Sequence, residues 1–472
     1  MMCPPITRRS CLTLAALVLC FFGQGDATAE DDKRPSPIDG TWTLVTAEFA
    51  GQPIAGLKGA ILSLAHGKKT FTLPDGKIEK GTYRVDPKKK PPHLDSATDG
   101  RPDTALGIYK LTGDRLKMCL SQSGKERPNK FATGPDTDFV LIVFKRKRVR
   151  LAKGDRLLGI GVNEGKIGFA NAFRAAQSAG VQVIELSQQW DDIEPKPGQF
   201  KNVFLDIANI YYPKTKTKLV ITLNPIDTTA LRLPADLRGK PLDDPQVIAR
   251  YNKALEYVLS RVPKIELVGL AIGNEIDGYL GADKKKWKQY RRFFKATSAH
   301  ARRIRPGLLV GTKVMLPSVV GGIQSQVQAI NKHSDVLMTT YYPLGKDFKV
   351  KSPSVVFKDI DRVIELYKDK PVYFLEAGYP SSRFLGSSEA KQAEFIGAMF
   401  KAWDRHRKQI KLVNFIWLHD ITEAEVKSYS KYYGLSSKGF AAYLGSLGMR
   451  THRGKDKQAF KALRRESKAR GW

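Results

Sequence analysis

The sequence is poorest in cysteine. Of four cysteines in 472 residues, Cys3, Cys11 and Cys20 fall within the first twenty positions, which leaves Cys119 alone in the rest of the chain. One thiol forms no internal disulfide, so the folds of an exported chain of this kind have to be held by their own cores. Histidine is sparse as well, with 7 in all. No His-Glu-x-x-His helix, Gly-x-Ser-x-Gly elbow or metal-ligand cluster can be read, which argues against zinc-peptidase and serine-esterase chemistry. No metal and no cofactor are expected. Past the N-terminus there is no stretch of roughly eighteen uninterrupted apolar residues, so no membrane-spanning helix is expected either. Negative charge is the last deficit: 47 Asp and Glu stand against 79 Lys and Arg, for a net charge of +32. The lysines are spread over helix faces, as at Lys284, Lys285, Lys286 and Lys288, without a nucleic-acid motif. Nucleic acid is therefore not an expected partner, and two readings of the charge remain: a solvated basic surface, or attraction to an anionic polysaccharide or cell surface.

The first thirty residues differ in kind from the rest. Arg8 and Arg9 precede an apolar run from Leu12 to Phe22, followed by Ala27-Thr28-Ala29, a small-x-small cleavage pattern. This is the layout of an export signal over residues 1–29, and a run of about eleven residues is too short to span a bilayer. Thr7-Arg8-Arg9-Ser10-Cys11-Leu12 resembles a twin-arginine signal, whereas Leu17-Val18-Leu19-Cys20 only faintly resembles a lipoprotein box, because Leu19 stands where a small residue is wanted. The expected location is periplasmic, cell-surface or extracellular.

From residue 36 to about 148 the chain is built of short alternating runs parted by Gly, Pro, Asp and Lys. Such runs are Trp42–Thr46, Ala60–Leu64, Lys69–Leu73, Gly81–Val85, Gly107–Leu111, Leu116–Leu120 and Phe139–Phe144. They predict a small antiparallel β-barrel-like domain. Gly40-Thr41-Trp42 is similar to the Gly-x-Trp that opens lipocalin-like barrels, and the whole stretch resembles a small uncharacterised domain of secreted planctomycete proteins. Trp42 is then either the floor of a ligand cavity or a plug closing one end. Pro87 to Pro92, with lysines between the prolines, reads as an exposed extended loop, and Lys145-Arg146-Lys147-Arg148-Val149-Arg150 as the domain boundary.

From residue 155 to 472 the pattern becomes apolar strands alternating with amphipathic helices. The strands are expected at Leu157–Val162, Val181–Leu186, Leu219–Leu223, Leu267–Ile272, Leu308–Val314, Val336–Thr340, Pro371–Leu375 and Leu412–Leu418. Helices are expected at Gly168–Ala179, Pro245–Val262, Lys285–Arg305, Ser354–Lys368, Ser388–His406 and Asp456–Ser467. This is an α/β pattern, and its repeat number and length predict a (β/α)8, or TIM, barrel. The rival, an open doubly wound sheet, usually carries a glycine-rich phosphate turn. Gly159-Ile160-Gly161 with Glu164 and Gly165 does not match it.

In such a barrel the reactive groups stand just past the C-terminal ends of the strands. Those positions hold Asn163, then Gln188, Gln189 and Trp190, then Asn224, Asn274 and Glu275, then Tyr341, Tyr342 and Glu376, and lastly Trp417, His419 and Asp420. Amides and carboxylates suit sugar hydroxyls, and aromatic faces suit the C–H faces of sugar rings. Cleaving a glycosidic bond with retention needs two carboxyl groups about 5 to 5.5 Å apart. Glu275 and Glu376, ending strands four and seven, face each other across an eight-strand ring. A carbohydrate-binding protein without activity, or a protein whose working part is the N-terminal β-domain, are the alternatives.

Gly273-Asn274-Glu275 and Leu375-Glu376-Ala377-Gly378-Tyr379-Pro380-Ser381 resemble the acid/base and nucleophile motifs of clan A glycoside hydrolases. The second is similar to the Glu-x-Gly-Trp-Pro-Ser of family 17 β-glucanases, with Tyr379 in place of the tryptophan. Trp190-Asp191-Asp192-Ile193-Glu194-Pro195 is similar to a turn after strand two in several clan A families. The resemblance implies a retaining hydrolase of β-glycans, with Glu275 as acid/base, Glu376 as nucleophile and Asn274 on the sugar 2-hydroxyl; a monomer is expected. It further implies Tyr341 or Tyr342 holding the nucleophile and Trp417 as a sugar platform. Trp190, Asn224 and His419 complete the candidate substrate contacts.

Overall fold

The structure, a computed structural model, describes residues 36–147, 152–345 and 347–472. The export-signal reading of residues 1–29, and the end of the basic run at Arg148 to Arg150, lie outside the described residues. The chain divides into two compact units at Val149–Arg150.

In the first unit, successive antiparallel strands pair in chain order, and Gly40–Phe49 also pairs with Phe139–Arg146. That last pairing closes an eight-stranded barrel, from which the short strand Gln52–Pro53 branches. Alternation puts Trp42 and Leu44 inside, and a bulge between Leu44 and Thr46 resets the phase so that Ala47 is inside too. Trp42 is fully buried, donates its indole N–H to the Ile38 carbonyl at 2.9 Å, and is capped by the Arg146 guanidinium 4.0 Å from the ring centroid. It is a plug. Like the short branch Gln52–Pro53, one of the eight barrel strands, His93–Thr98, falls outside the seven runs expected from the sequence. Its only large apolar side chain is Leu94, so the alternation that gives the other strands away is too weak to read.

In the second unit the barrel strands are one (Leu157–Ile160), two (Val183–Gln189), three (Lys218–Asp227), four (Leu267–Asn274), six (Leu337–Tyr341), seven (Val372–Ala377) and eight (Ile410–Phe415). Strand five is in two pieces. Val310–Gly311 pairs with strand four and Lys313–Met315 with strand six, so the break at Thr312 lets one strand close the ring of eight parallel strands. Each strand is covered on both faces, which is why the runs are almost continuously apolar. Ile184, Leu219, Ile221, Leu337 and Phe374 point outward to the helices. Val183, Val220, Ala271, Met338, Tyr373 and Leu412 fill the interior as an apolar floor.

The helices cover the outside. Lys284–Ile304 buries Trp287, Tyr290, Phe293, Phe294, Thr297 and Ala301, at helical spacing, and keeps its lysines outward. Its first turn is capped by Asp283, and Pro245–Ser260 starts with Asp244 as cap and Pro245 at the first helical position. After strand eight the chain does not turn directly into its last helix, Gln458–Arg470. It first forms two shorter ones, Glu423–Tyr433 and Lys438–Leu444, which we call the strap. Among the described residues, no helix is long and apolar enough to cross a membrane.

Candidate active site

Above the apolar floor the inward positions turn polar. On strand two Glu185 and Ser187 follow Val183 inward, and on strand three Thr222 and Asn224 follow Val220. On strand seven strict alternation from Tyr373 and Leu375 would send Glu376 outward. A register shift against strand six, from Thr339–Phe374 to Thr340–Glu376, places an extra residue there and keeps Glu376 facing inward. Small residues line strand four. A Cβ on Gly269 would meet Met338 at 3.2 Å and Tyr373 at 3.3 Å, so that strand leaves room for the floor. Glu275 ends it with φ 41° and ψ 47°, a left-handed conformation that a non-glycine residue adopts at a cost of about 1–3 kcal/mol.

The two glutamates have unlike surroundings. Glu275 accepts the Thr340 hydroxyl at 2.7 Å and the Thr228 hydroxyl at 3.1 Å, and it has no cation among its hydrogen-bond partners. Burial, and then the charge of Glu376, push its carboxyl up to about 8 despite the donation from Thr340. Glu376 accepts the Tyr342 hydroxyl on Oε2 at 2.6 Å and the Lys313 ammonium on Oε1 at 3.0 Å. Lys313 is 1% exposed and also reaches Glu185 at 2.6 Å. Burial by itself would depress this lysine, but Glu185 and Glu376 more than reverse that and hold it above its ordinary value. Thr222 donates to the same oxygen of Glu185 at 2.6 Å. One carboxyl is thus kept neutral near pH 7, and the other has the donors that an anion accepts.

Two glycines make room for aromatic rings here. A Cβ on Gly378 would overlap the Tyr342 ring, and one on Gly161 would come within 2.9 Å of Trp417 Cδ1. Trp417 follows the cis Ile416–Trp417 peptide, is half-buried, and stacks on Tyr429 of the strap, with centroids 5.9 Å apart. Tyr433 stacks on Tyr429 in turn, and Tyr443 meets the Tyr342 ring edge-on at 5.5 Å. On the far side of the bowl Tyr432 donates to Asp227 Oδ2 at 2.7 Å. The segment after strand eight is thereby tied to the end of strand three. Burial, together with nearby carboxylates, holds Tyr342, Tyr433 and Tyr443 well above the usual phenol value.

Of the candidates read from the sequence, Glu275, Glu376, Asn274, Tyr342 and Trp417 come together. Asn274 is 8% exposed and donates to Asp227 at 2.8 Å, which leaves its Oδ1 without a protein partner. Asn224 points inward but is fully buried beneath Ser187, to whose hydroxyl it donates at 2.9 Å. Tyr341 is on the other face of strand six, its hydroxyl on Asp359 of the outer helix Val355–Leu366 at 2.8 Å. Trp190 and His419 are both fully buried. The Trp190 indole donates to Glu194 at 2.9 Å and abuts Tyr251, holding the loop after strand two. His419 is locked to Asn163, which ties strand one to strand eight. Asp420 is paired with Lys457 at 2.6 Å.

Lys313, Glu185, Thr340, Asp227 and the strap tyrosines lie outside the strand-end positions that the sequence pattern picks out. Glu185 and Lys313 carried a signal, since each is a charge inside an apolar strand run, but a lone charge in a run is usually a solvated edge. Among the described residues, no group of three or more metal-ligating side chains occurs.

No family model matches the sequence, and no curated protein is similar to it in sequence. Among solved structures, the chain is similar to a GH5_18 protein from Streptomyces cattleya in complex with GlcNAc, with 15% identity over 68% of this chain and 80% of that one and a TM-score of 0.54. It is similar to an exo-β-1,4-mannosidase from Opitutaceae bacterium strain TAV5, with 16% identity, 67% and 59% of the two chains covered and a TM-score of 0.53. A GH5_18 protein from Bifidobacterium longum subsp. infantis matches with 11% identity over 66% and 78%, TM-score 0.51. At such identities the likeness is one of fold: the second unit is an eight-stranded parallel barrel of the kind these glycoside hydrolases have.

Proposed function

We propose that the second unit is a retaining glycoside hydrolase of clan A type that cleaves β-linked oligo- or polysaccharide, with Glu376 as nucleophile and Glu275 as acid/base. The observation that carries this reading is the difference between the two carboxyls: one is buried with no cation bonded to it, and the other is held by Lys313 and Tyr342. In the first step a Glu376 oxygen bonds to the anomeric carbon while the glycosidic bond breaks. Its electron pair leaves on the departing oxygen, which takes the Glu275 proton. Water then bonds to the anomeric carbon, gives its proton to Glu275, and the ester bond breaks back to free Glu376.

Trp417 serves as the platform under the sugar at the cleavage point, and Asn274, whose Oδ1 has no protein partner, serves its 2-hydroxyl. The export signal read over residues 1–29 would deliver the protein outside the cytoplasm, to polymeric glycans. The test is a panel of β-glycans, β-mannosides first because of the mannosidase among the similar folds, assayed with wild type and Glu376→Gln while product configuration is followed. Retention, with activity lost in the variant, is expected. Inversion, or activity that survives the substitution, refutes the scheme.

A further inference from the structure

Beneath the nucleophile lies an ion pair that a two-carboxyl mechanism does not require. Lys313 and Glu185 come from strands five and two, on opposite sides of the ring, and meet in the barrel interior at 2.6 Å. Lys313 is 1% exposed and the Glu185 side chain 8%. Neither charge could stay there unpaired, because an isolated ion inside a protein either neutralises itself or destabilises the fold. Yet Lys313 also gives a bond to Glu376 at 3.0 Å, on the group that changes charge during the reaction.

We propose that Lys313 and Glu185 form a counter-charge relay for the nucleophile: Lys313 balances the Glu376 carboxylate before attack, and Glu185 remains as the partner of Lys313 while Glu376 is esterified. This rests on the retaining scheme above. In the free enzyme the relay has Lys313 positive between the carboxylates of Glu376 and Glu185, with the proton on Glu275; burial raises the Glu185 carboxyl, Lys313 opposes that rise and Glu376 adds to it. On attack a Glu376 oxygen bonds to the anomeric carbon and loses its charge, and Glu275 becomes negative by giving its proton to the leaving oxygen. Lys313 then faces one carboxylate instead of two, and it is never left alone. On hydrolysis the ester electron pair returns to Glu376 opposite the ammonium, which favours its departure from the sugar. Without Glu185 the ammonium would bind Glu376 too tightly before attack and lose its adjacent partner after it.

The other groups facing Glu376 are Tyr342 just past strand six, Glu275 just past strand four, and Tyr429, Tyr433 and Tyr443 from the strap. Burial raises all four tyrosines, so they stay neutral through the working range. The charges that act on Glu376 are therefore Lys313, Glu185 and, once deprotonated, Glu275. Lys313 and Glu185 are positioning residues, because they act through Glu376 and not on the sugar.

The experiment measures kcat/KM against pH with a 2,4-dinitrophenyl β-glycoside that the wild type hydrolyses, in Lys313→Met, Lys313→Arg, Glu185→Gln and the double variant Lys313→Met/Glu185→Gln. Lys313→Met should move the acid limb upward by about one to two pH units, the size of a lost adjacent opposite charge. Lys313→Arg should leave the limb within about half a unit of wild type, since the cation is kept. The double variant leaves no member of the buried pair unpartnered; it keeps the measurement available if Lys313→Met does not fold, and its limb should also lie above that of wild type. Glu185→Gln should lower the plateau of kcat/KM, which reports the first step, about tenfold or more and leave the second step no slower, because the unpaired ammonium favours return of the ester electron pair to Glu376. An unmoved acid limb in both methionine variants, or an unchanged kcat/KM plateau in Glu185→Gln, overturns the relay. If Glu376→Gln is inactive and the product retained while these limbs stay put, the relay alone fails; if Glu376→Gln stays active, the retaining scheme fails first.

Discussion

Replacing Glu275 by Gln removes the proton that the departing sugar needs and keeps the shape of the side chain. With its carboxyl at about 8, Glu275 is about nine-tenths protonated at pH 7. At its ordinary 4.5 it would be protonated about 0.3% of the time, so burial and the charge of Glu376 raise the acid form roughly 300-fold. Loss of a general acid costs about 10²–10⁴-fold in rate. That loss should appear in full on a glycan, whose leaving alcohol is poor. It should almost vanish from the first step with a dinitrophenyl glycoside, which needs no proton. In wild type kcat/KM should fall as pH rises through about 8, and in the variant that basic limb should disappear. The same group gives a stability readout. Its folded value lies above its unfolded one, so the folded state binds the extra proton between about 4.5 and 8, and the wild type loses stability as pH climbs through that window. The glutamine has no such slope. Its melting temperature should therefore gain on wild type as the pH rises from 5 to 8. Equal losses on both substrates, or a basic limb that survives, would refute the acid assignment.

Tyr342→Phe removes a hydrogen bond to an ionised carboxyl and should lower kcat by about 10- to 100-fold, for a bond of about 1.5–3 kcal/mol, whereas Tyr341→Phe should change kcat less than about threefold. Gly378→Ala should displace the Tyr342 ring and reduce kcat to a similar extent, and the double variant Gly378→Ala/Tyr342→Phe should be scarcely worse than either single one in a kinetic cycle. Asp404→Ala strands the buried Arg156 guanidinium, paired at 2.8 Å, and takes from Arg470 its partner at 2.6 Å while leaving it Glu466, and should cost about 3–5 kcal/mol in denaturant unfolding while kinetics per folded molecule stay unchanged.

The legible part of the site was the part encoded at strand ends. Glu275 and Glu376 could be read because an apolar run followed at once by a carboxylate is a local pattern, and Trp417 because it ends the last run. What could not be read depends on phase. Alternation says that Tyr341 and Tyr342 face opposite ways but not which faces in; the inward course Met338, Thr340, Tyr342 decides it. Glu376 itself faces inward only because of a bulge that no residue in Tyr373-Phe374-Leu375-Glu376 announces. Lys313 is inward in phase with Gly311, while Val310 and Thr312 turn to the outer helices, a phase that the run itself does not announce. Trp190 and His419 stand at strand ends as expected, but the loops fold over them, and partners distant in sequence, Tyr251 and Asn163, complete their burial. The strap shows the same limit: Tyr432 reaches Asp227, 205 residues away in the chain, a contact that only the closed ring creates. In the first unit the plugging role of Trp42 likewise needs Arg146, which the last strand of the barrel brings directly opposite it.

The central claim is a covalent glycosyl ester on Glu376, and trapping it tests the claim most directly. The protein would be inactivated with a 2-deoxy-2-fluoro-β-glycosyl fluoride of the sugar it cleaves, digested, and its peptides weighed by mass spectrometry. The account predicts one fluorosugar per chain, on the peptide carrying Glu376, with turnover recovered when an acceptor sugar releases it. A protein that hydrolyses the parent glycoside but carries the label elsewhere, or gives an inverted product without any label, would contradict it.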